Sequence, residues 1–213
     1  MQLTRVIAVR HGETAWNVDS RIQGQLDISL NDTGLWQARR VAQALQDEPL
    51  TAIYASDLAR ARQTAEEIAR SHGIEVTVDT GLRERSFGLF EGRTFADIDA
   101  ALPDQARLWR TRDPEFAPEG GESLLAFRER VTSTAATLAA RHPGELVVMV
   151  AHGGVMDVLY RAATRQELQA PRTWHLGNAA INRLLWTPQG FTLVGWADTA
   201  HLQGDGTLDE ATA

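Results

Sequence analysis

Two short apolar runs, far apart in the chain, end in the same way. Leu3 to Val9 stops at Arg10-His11-Gly12, and Leu146 to Val150 stops at Ala151-His152-Gly153-Gly154. Neither run alternates apolar with polar residues, so each reads as a strand buried on both faces, as in a parallel sheet. Ala52-Ile53-Tyr54 and Glu75 to Val78 add two shorter candidates. Ala180 to Trp186 and Phe191 to Gly195, joined through Pro188-Gln189-Gly190, read as a hairpin that gives the sheet an antiparallel edge.

Helical spacing fills the intervals. Leu35, Ala38, Val41, Ala42 and Leu45 share one face behind the capping candidates Asn31 to Thr33. Leu58, Ala61, Ala65, Ile68 and Ala69 repeat the pattern behind Ser56-Asp57, and a longer helix is expected from Ser123 to Arg141. This alternation predicts an α/β fold, a three-layer α/β/α sandwich with a mostly parallel central sheet carrying one antiparallel edge strand. Residues 1–202 are expected to form a single domain, with a loop and helix excursion at 85–121 that is rich in Gly and Pro. Brief helices are expected there at Thr94 to Ala101 and Asp104 to Arg112. The tail at 203–213 has little to bury and is expected to be disordered.

Composition narrows the chemistry. The 213 residues contain no cysteine, which excludes disulfides, thiolate metal sites and a cysteine nucleophile. A net charge of -7 argues against nucleic acid or an anionic membrane as partner, while leaving a local anion pocket open. The N-terminal MQLTRVIAVRHGETAWN lacks the pattern of a signal peptide, and no apolar run approaches the roughly 20 residues of a membrane span, so a cytoplasmic location is expected. The choice between monomer and homodimer stays open.

In open α/β sheets ligands bind outside the carboxyl ends of the strands, which is where both His-Gly pairs fall. A glycine after each histidine lets the backbone approach a ligand and present an N–H to an anion. Arg10 precedes the first histidine, and Arg60 sits in the first turn of a helix, where a cation is unfavourable until an anion compensates it. Guanidinium groups suit phosphoryl oxygens, and a neutral imidazole can attack phosphorus without first losing a proton. An acid for the departing alkoxide is still needed, and Glu13, Glu84, Glu91 and Glu122 are unranked candidates.

Arg10-His11-Gly12-Glu13-Thr14-Ala15-Trp16-Asn17 resembles the RHG signature of the histidine phosphatase superfamily, in its phosphoglycerate-mutase-like branch. Further matching pieces follow in order: Arg21-Ile22-Gln23-Gly24, Ser56 to Ala65, Leu82 to Gly88, Gly121-Glu122-Ser123, Ala151 to Gly154 and Trp196 to Leu202. The resemblance implies that His11 is the nucleophile that becomes phosphohistidine. It implies that Arg10, Arg60 and His152 hold the transferring phosphoryl group and that Glu84 is the proton donor. Asn17, Gln23, Gly24 and Gly153 are its implied phosphate-binding positions, with no metal and no cofactor. Arg62 ranks below Arg60, and Glu13 is expected to support the site without donating the proton.

The stretch after Gly92 is short and sparsely basic, unlike the larger basic insert of the mutases, and Phe87 to Gly92 resembles the broad phosphatase branch. A metal-independent phosphomonoester hydrolase acting on a small phosphorylated metabolite is the expectation. The alternatives are a 2,3-bisphosphoglycerate-dependent phosphoglycerate mutase, a phosphoprotein phosphatase and a non-catalytic phosphate-binding protein. Phe87, Phe90, Phe95, Trp109 and Phe116 are candidates for an apolar mouth or a satellite core, and Trp174, His175 and Asn178 for a loop reaching the substrate.

Overall fold

The computed structural model describes residues 3–203. The expectation of a disordered tail therefore falls, apart from Gln203, outside the described residues. Six strands form one sheet: β1 (Thr4–Arg10), β2 (Leu50–Ala55), β3 (Val76–Val78), β4 (Leu146–Ala151), β5 (Ile181–Thr187) and β6 (Gly190–Asp198). Their order is β3-β2-β4-β1-β5-β6. The pairings β2 with β3, β2 with β4 and β1 with β4 are parallel, whereas β5 runs antiparallel to both β1 and β6. The hairpin thus forms the antiparallel edge, and its reversed strand β5 lies one in from the rim.

The helices are α1 (Ala15–Val18), α2 (Asp32–Leu45), α3 (Ala59–His72), α4 (Phe95–Ala101), α5 (Pro103–Arg110), α6 (Leu124–Ala139) and α7 (Gly153–Thr164). Successive residues of β1 and β4 serve opposite faces, as the strand period of two requires. Ile7, Val9, Val148 and Val150 pack under α2 and α3 through Val41, Leu45, Ala61, Ala65 and Ile68. On the other face Val6, Ala8, Val147 and Met149 pack under α6 and α7 through Phe127, Val131, Leu138, Val155 and Leu159. Covering both faces explains why the two founding runs are uniformly apolar.

Local chemistry sets most of the helix ends. Asn31 accepts a hydrogen bond from the Gly34 N–H at 2.8 Å to begin α2, and Ser123 accepts one from the Ala126 N–H at 3.1 Å to begin α6. The start of α3 departs from expectation. Its N-cap is Leu58, without a side-chain cap, and Asp27 from a distant loop accepts from the Ala59 N–H at 2.7 Å. Asp57 instead grips Arg83, with 2.6 Å between Oδ2 and Nη2. Helix α7 goes unread in the sequence, because its Gly153-Gly154 start has poor helix propensity and hides the Val155, Val158 and Leu159 spacing.

Between residues 85 and 121, α4 and α5 stand apart from the two sheet layers. Phe90, Ile98 and Ala106 are buried there, with Ile22, Phe87, Phe95, Trp109 and Phe116 packed around them. No helix among the described residues is long and apolar enough to cross a membrane.

Leu138, fully enclosed on α6, and Val194, more than half exposed on β6, make a matched stability test. Leu138→Ala is expected to cost about 2–5 kcal/mol in urea unfolding. Val194→Ala should stay within about 0.5 kcal/mol. Equal losses would show that α6 does not seal the core as described.

Candidate active site

Because β1 and β4 are neighbours with Arg10 opposite Ala151, the next residue of each strand, His11 and His152, emerges at the same point of the sheet edge. The two ring centroids lie 5.2 Å apart at an interplanar angle of 60°. Both rings are buried, His11 at 3% exposure and His152 at 0%.

The Nδ1 of His11 lies 2.7 Å from the Gly12 carbonyl oxygen, so Nδ1 carries the hydrogen and donates. Nε2 is left with its lone pair, without a protein partner among the described residues. Asn178 holds this turn: its Nδ2 donates to the carbonyls of His11 and Gly12 at 3.1 and 3.2 Å and to Asn17 Oδ1 at 3.2 Å. Asn17 Oδ1 also accepts from the Thr14 N–H at 3.0 Å, closing a capping box on α1. A side chain at position 12 would strike the backbone of Gly34, with a Cβ 2.5 Å from its carbonyl oxygen, so glycine is required for this approach.

Arg60 is 1% exposed, despite its guanidinium. It donates from Nη1 to the Leu26 carbonyl at 2.8 Å and from Nη2 to the Gly24 carbonyl at 2.7 Å. Gly24 adopts φ +52°, and a Cβ there would overlap the Glu91 carboxylate. Arg10 donates from Nη1 to the Leu176 carbonyl. Arg62, by contrast, is half exposed and pairs with Glu66 at 3.4 Å. Arg10, His11, Asn17, Gln23, Gly24, Arg60, Glu84 and Gly153 all line one cavity of about 180 Å³. The structure thus gathers there every catalytic and phosphate-binding residue that the resemblance implies except His152, which is packed against His11, whereas the loop candidates Trp174, His175 and Asn178 do not line this cavity.

The four glutamates separate clearly. Glu13 accepts from Asn31 Nδ2 at 2.9 Å, Glu91 accepts from the N–H groups of Gln25 and Phe87, and Glu122 pairs with Arg130 at 2.7 Å. Only Glu84 of the four lines the cavity. Its Oε2 accepts from the Gly154 N–H at the start of α7 at 2.9 Å, and its Oε1 from the Arg85 N–H at 2.8 Å. Its own carbonyl is held by Gln25 Nε2 at 3.1 Å and Arg130 Nη2 at 3.2 Å. Gln25, Arg130 and the positioning role of Asn178 escape sequence reasoning, since each acts through contacts distant in the chain. The aromatic candidates divide: Phe87 and Trp109 line the cavity, while Phe90 is enclosed in the satellite core.

Among the described residues several buried polar atoms here have no partner: Arg10 Nε, Arg60 Nε, both ring nitrogens of His152 and the acceptor Gln23 Oε1. Unpartnered buried donors are costly, and their convergence with two guanidinium groups defines an anion site. Burial first, and then the charges of Arg60 and Arg10, hold the His11 imidazole well below its ordinary value. Burial, Arg60, His11 and Arg10 do the same to His152. Burial lowers the Arg60 guanidinium to about 10, which leaves it charged at neutral pH. Among the described residues no cluster of three or more His, Asp or Glu side chains is arranged to hold a metal ion.

A sheet edge with two neutral histidines, two buried arginines and a cavity-lining glutamate defines a phosphoryl-binding enzyme class, and the comparisons agree. The chain belongs to the histidine phosphatase superfamily (branch 1), whose family model matches residues 6–199. It is 37% identical over 208 residues to the glucosyl-3-phosphoglycerate phosphatase of Mycobacterium tuberculosis, covering 92% of this chain and 93% of that one. The metal-independent phosphoserine phosphatase of Arabidopsis thaliana is 34% identical, with 97% of this chain and 87% of the relative covered. Among solved structures, a mycobacterial glucosyl-3-phosphoglycerate phosphatase complexed with VO3 superposes with a TM-score of 0.81 at 36% identity, covering 92% of this chain and 99% of that one.

The depressed histidines have a consequence for stability. In the unfolded chain each ring binds a proton below about pH 6.5, whereas the folded rings refuse it. Stability is therefore lost as pH falls below that value, by up to about 1.4 kcal/mol per pH unit for each ring. Replacing His152 with Asn is expected to flatten the slope of unfolding free energy between pH 6.5 and 5. An unchanged slope would mean that the folded protein protonates this ring.

Proposed function

We propose that this protein is a metal-independent phosphomonoester hydrolase that acts through a phosphohistidine on a small phosphorylated metabolite. The observation that carries this reading is the bond from His11 Nδ1 to the Gly12 carbonyl, which fixes the tautomer and leaves Nε2 as a nucleophile beside two guanidinium groups.

In the first step His11 Nε2 forms a bond to phosphorus while the phosphorus–ester oxygen bond breaks, its electron pair leaving on that oxygen. Glu84 delivers a proton to the departing alkoxide. Arg10 and Arg60 neutralise charge on the equatorial oxygens of the crowded phosphoryl group, and His152, itself uncharged, donates a hydrogen bond from its one N–H. Asn17, Gln23, Gly24 and Gly153 complete the phosphate lining. In the second step water attacks phosphorus, Glu84 takes the proton from that water, and the nitrogen–phosphorus bond breaks to release inorganic phosphate. The neutral state of both imidazoles supports this division, since a protonated His11 has no lone pair with which to attack.

The mutase reading is the less favoured one. The stretch from Arg93 to Asp99 directly after Gly92 carries a single cation, Arg93, where the mutases carry a larger basic insert, and α4 carries none.

Brief exposure to a radiolabelled phosphomonoester should yield an acid-labile, base-stable phosphoenzyme, absent from His11→Ala. Glu84→Gln should lower kcat by about 10²- to 10⁴-fold on an alkyl phosphate. In the rate of phosphoenzyme formation, the step that precedes water attack, the loss on p-nitrophenyl phosphate, whose leaving group needs no proton, should be much smaller than on the alkyl phosphate. Equal losses in that rate would remove Glu84 from the donor role.

A further inference from the structure

The closing stretch from Trp196 to Leu202, one of the matching pieces of the sequence, supplies no residue to the phosphate cavity. It comprises the end of β6, Thr199 and a single 3₁₀ turn at Ala200–Leu202. Local bonds fold it: Asp198 Oδ1 accepts from the Ala200 N–H at 3.0 Å, and the Leu202 N–H donates to the Thr199 carbonyl at 2.9 Å. Arg40 of α2 ties it to the helix layer, donating from Nε to the His201 carbonyl at 2.7 Å. The partly buried ring of His201 then brings Nε2 to 3.0 Å from the Ala179 carbonyl oxygen.

A carbonyl oxygen can only accept, so His201 Nε2 carries the hydrogen and donates. Burial lowers the ring from its ordinary value and keeps it neutral at neutral pH, and the bond therefore needs no charge. Ala179, which receives it, is fully enclosed and sits at φ +56°. A non-glycine residue holds that left-handed conformation only where its surroundings over-determine it. Here both sides of its backbone are engaged. The Ala179 N–H donates to the carbonyls of Arg10 and His11 at 3.0 and 3.2 Å, while its carbonyl faces His201.

Asn178, the residue before, grips the same turn by its side chain, through the carbonyls of His11 and Gly12. Two consecutive residues thus hold three consecutive carbonyls, those of Arg10, His11 and Gly12, and the last of these sets the His11 tautomer. The loop that carries them is itself held at both ends by the closing stretch. Trp196 Nε1 donates to the His175 carbonyl at 3.0 Å, and His201 takes the Ala179 carbonyl. Only two residues beyond Ala179, Ile181 enters β5 opposite Val9, so the loop has little length over which to adjust.

We propose that His201 is a positioning residue for the nucleophile: by pinning the Ala179 carbonyl it keeps Ala179 and Asn178 on the turn that orients His11. The inference rests on the phosphatase reading above and concerns how its nucleophile is held. Without the pin, Ala179 relaxes toward a commoner backbone conformation, which turns its N–H away from Arg10 and His11 and draws Asn178 Nδ2 away from Gly12. The Gly12 carbonyl is then free to rotate, the hydrogen spreads over both nitrogens of His11, and Nε2 is no longer constantly bare. Arg60 and Gly24 stand on other elements, with bonds of their own. The loss therefore falls on the rate of attack and spares the binding of phosphate.

Two substitutions test this role. Phenylalanine keeps the ring and removes the donor, whereas glutamine places an N–H at the reach of Nε2. His201→Phe should slow phosphoenzyme formation, read as p-nitrophenolate released from p-nitrophenyl phosphate in a single turnover, by about 10- to 100-fold. The inhibition constant of inorganic phosphate should stay within about threefold of native, and His201→Gln should recover most of the rate. Ring-labelled native protein, with His11 assigned by its loss in His11→Ala, should show in its ¹⁵N NMR spectrum a protonated Nδ1 and a bare Nε2. In His201→Phe the two signals should move toward each other as the tautomers mix, and His201→Gln should restore them. A folded His201→Phe with native rate and native His11 signals overturns the brace. So does a His201→Phe that loses phosphate affinity in step with rate, or a His201→Gln that falls as far as His201→Phe. Should His201→Phe not fold, His201→Gln decides, a near-native rate and tautomer supporting the brace and a tenfold loss overturning it. Native protein without His11-dependent turnover defeats the phosphatase reading instead, while the ring spectra, which need no substrate, still test the brace.

Discussion

The adjacency of β1 and β4 is the constraint from which the site follows. The two strands are separated by most of the chain, yet their register sets Arg10 against Ala151, and the histidine after each then leaves the sheet in the same direction. Placing two imidazoles beside two guanidinium groups in a dry setting makes an added proton on either ring expensive. The neutrality that nucleophilic attack requires thus follows from location, and the Gly12 carbonyl needs only to choose which nitrogen stays bare. Had either strand slipped by one residue, its histidine would have turned toward the opposite face.

Elements whose signal is local were legible in the sequence. The uniformly apolar β1 and β4, the stripes on α2 and α6, and the caps at Asn31 and Ser123 all appear where residue pattern places them. What local pattern could not supply was settled over distance. The start of α3 depends on Asp27 from another loop, and α7 forms because its apolar face packs on the sheet despite two opening glycines. The ranking of Glu13, Glu84, Glu91 and Glu122 was likewise open, because all four have the same chemistry and only their partners tell them apart. The family resemblance singled out Glu84, and the hydrogen bonds supply a physical reason for the distinction. Gln25 and Arg130 left no trace that spacing could reveal, and Asn178, expected on a loop near the substrate, gave no sign that it would hold the His11 turn.

The site also contains what an ordinary core avoids. Arg10 Nε, Arg60 Nε and both nitrogens of His152 lie buried without partners among the described residues. Such groups lower the stability of the free protein, and an anion that satisfies them recovers what they cost. The satellite core around Phe90, Ile98 and Ala106 lets Phe87 and Trp109 wall the cavity without being the hydrophobic centre of the molecule. The covering segment can therefore change its lining residues while the sheet beneath it stays intact.

Glu84 lines both the histidine cavity and an adjoining one walled by Leu124, Phe127 and Asp157, and in the proposed reaction this orders the events. A scissile oxygen held at that border would have its phosphorus on the histidine side and its carbon skeleton in the adjoining cavity. Once the bond is cut, the alcohol departs through the outer chamber while the phosphoryl group stays fixed behind it, and the attacking water enters by the route just vacated. Free phosphate is then the last species to leave, so it competes with each incoming ester for the same ground, and turnover slows as it accumulates.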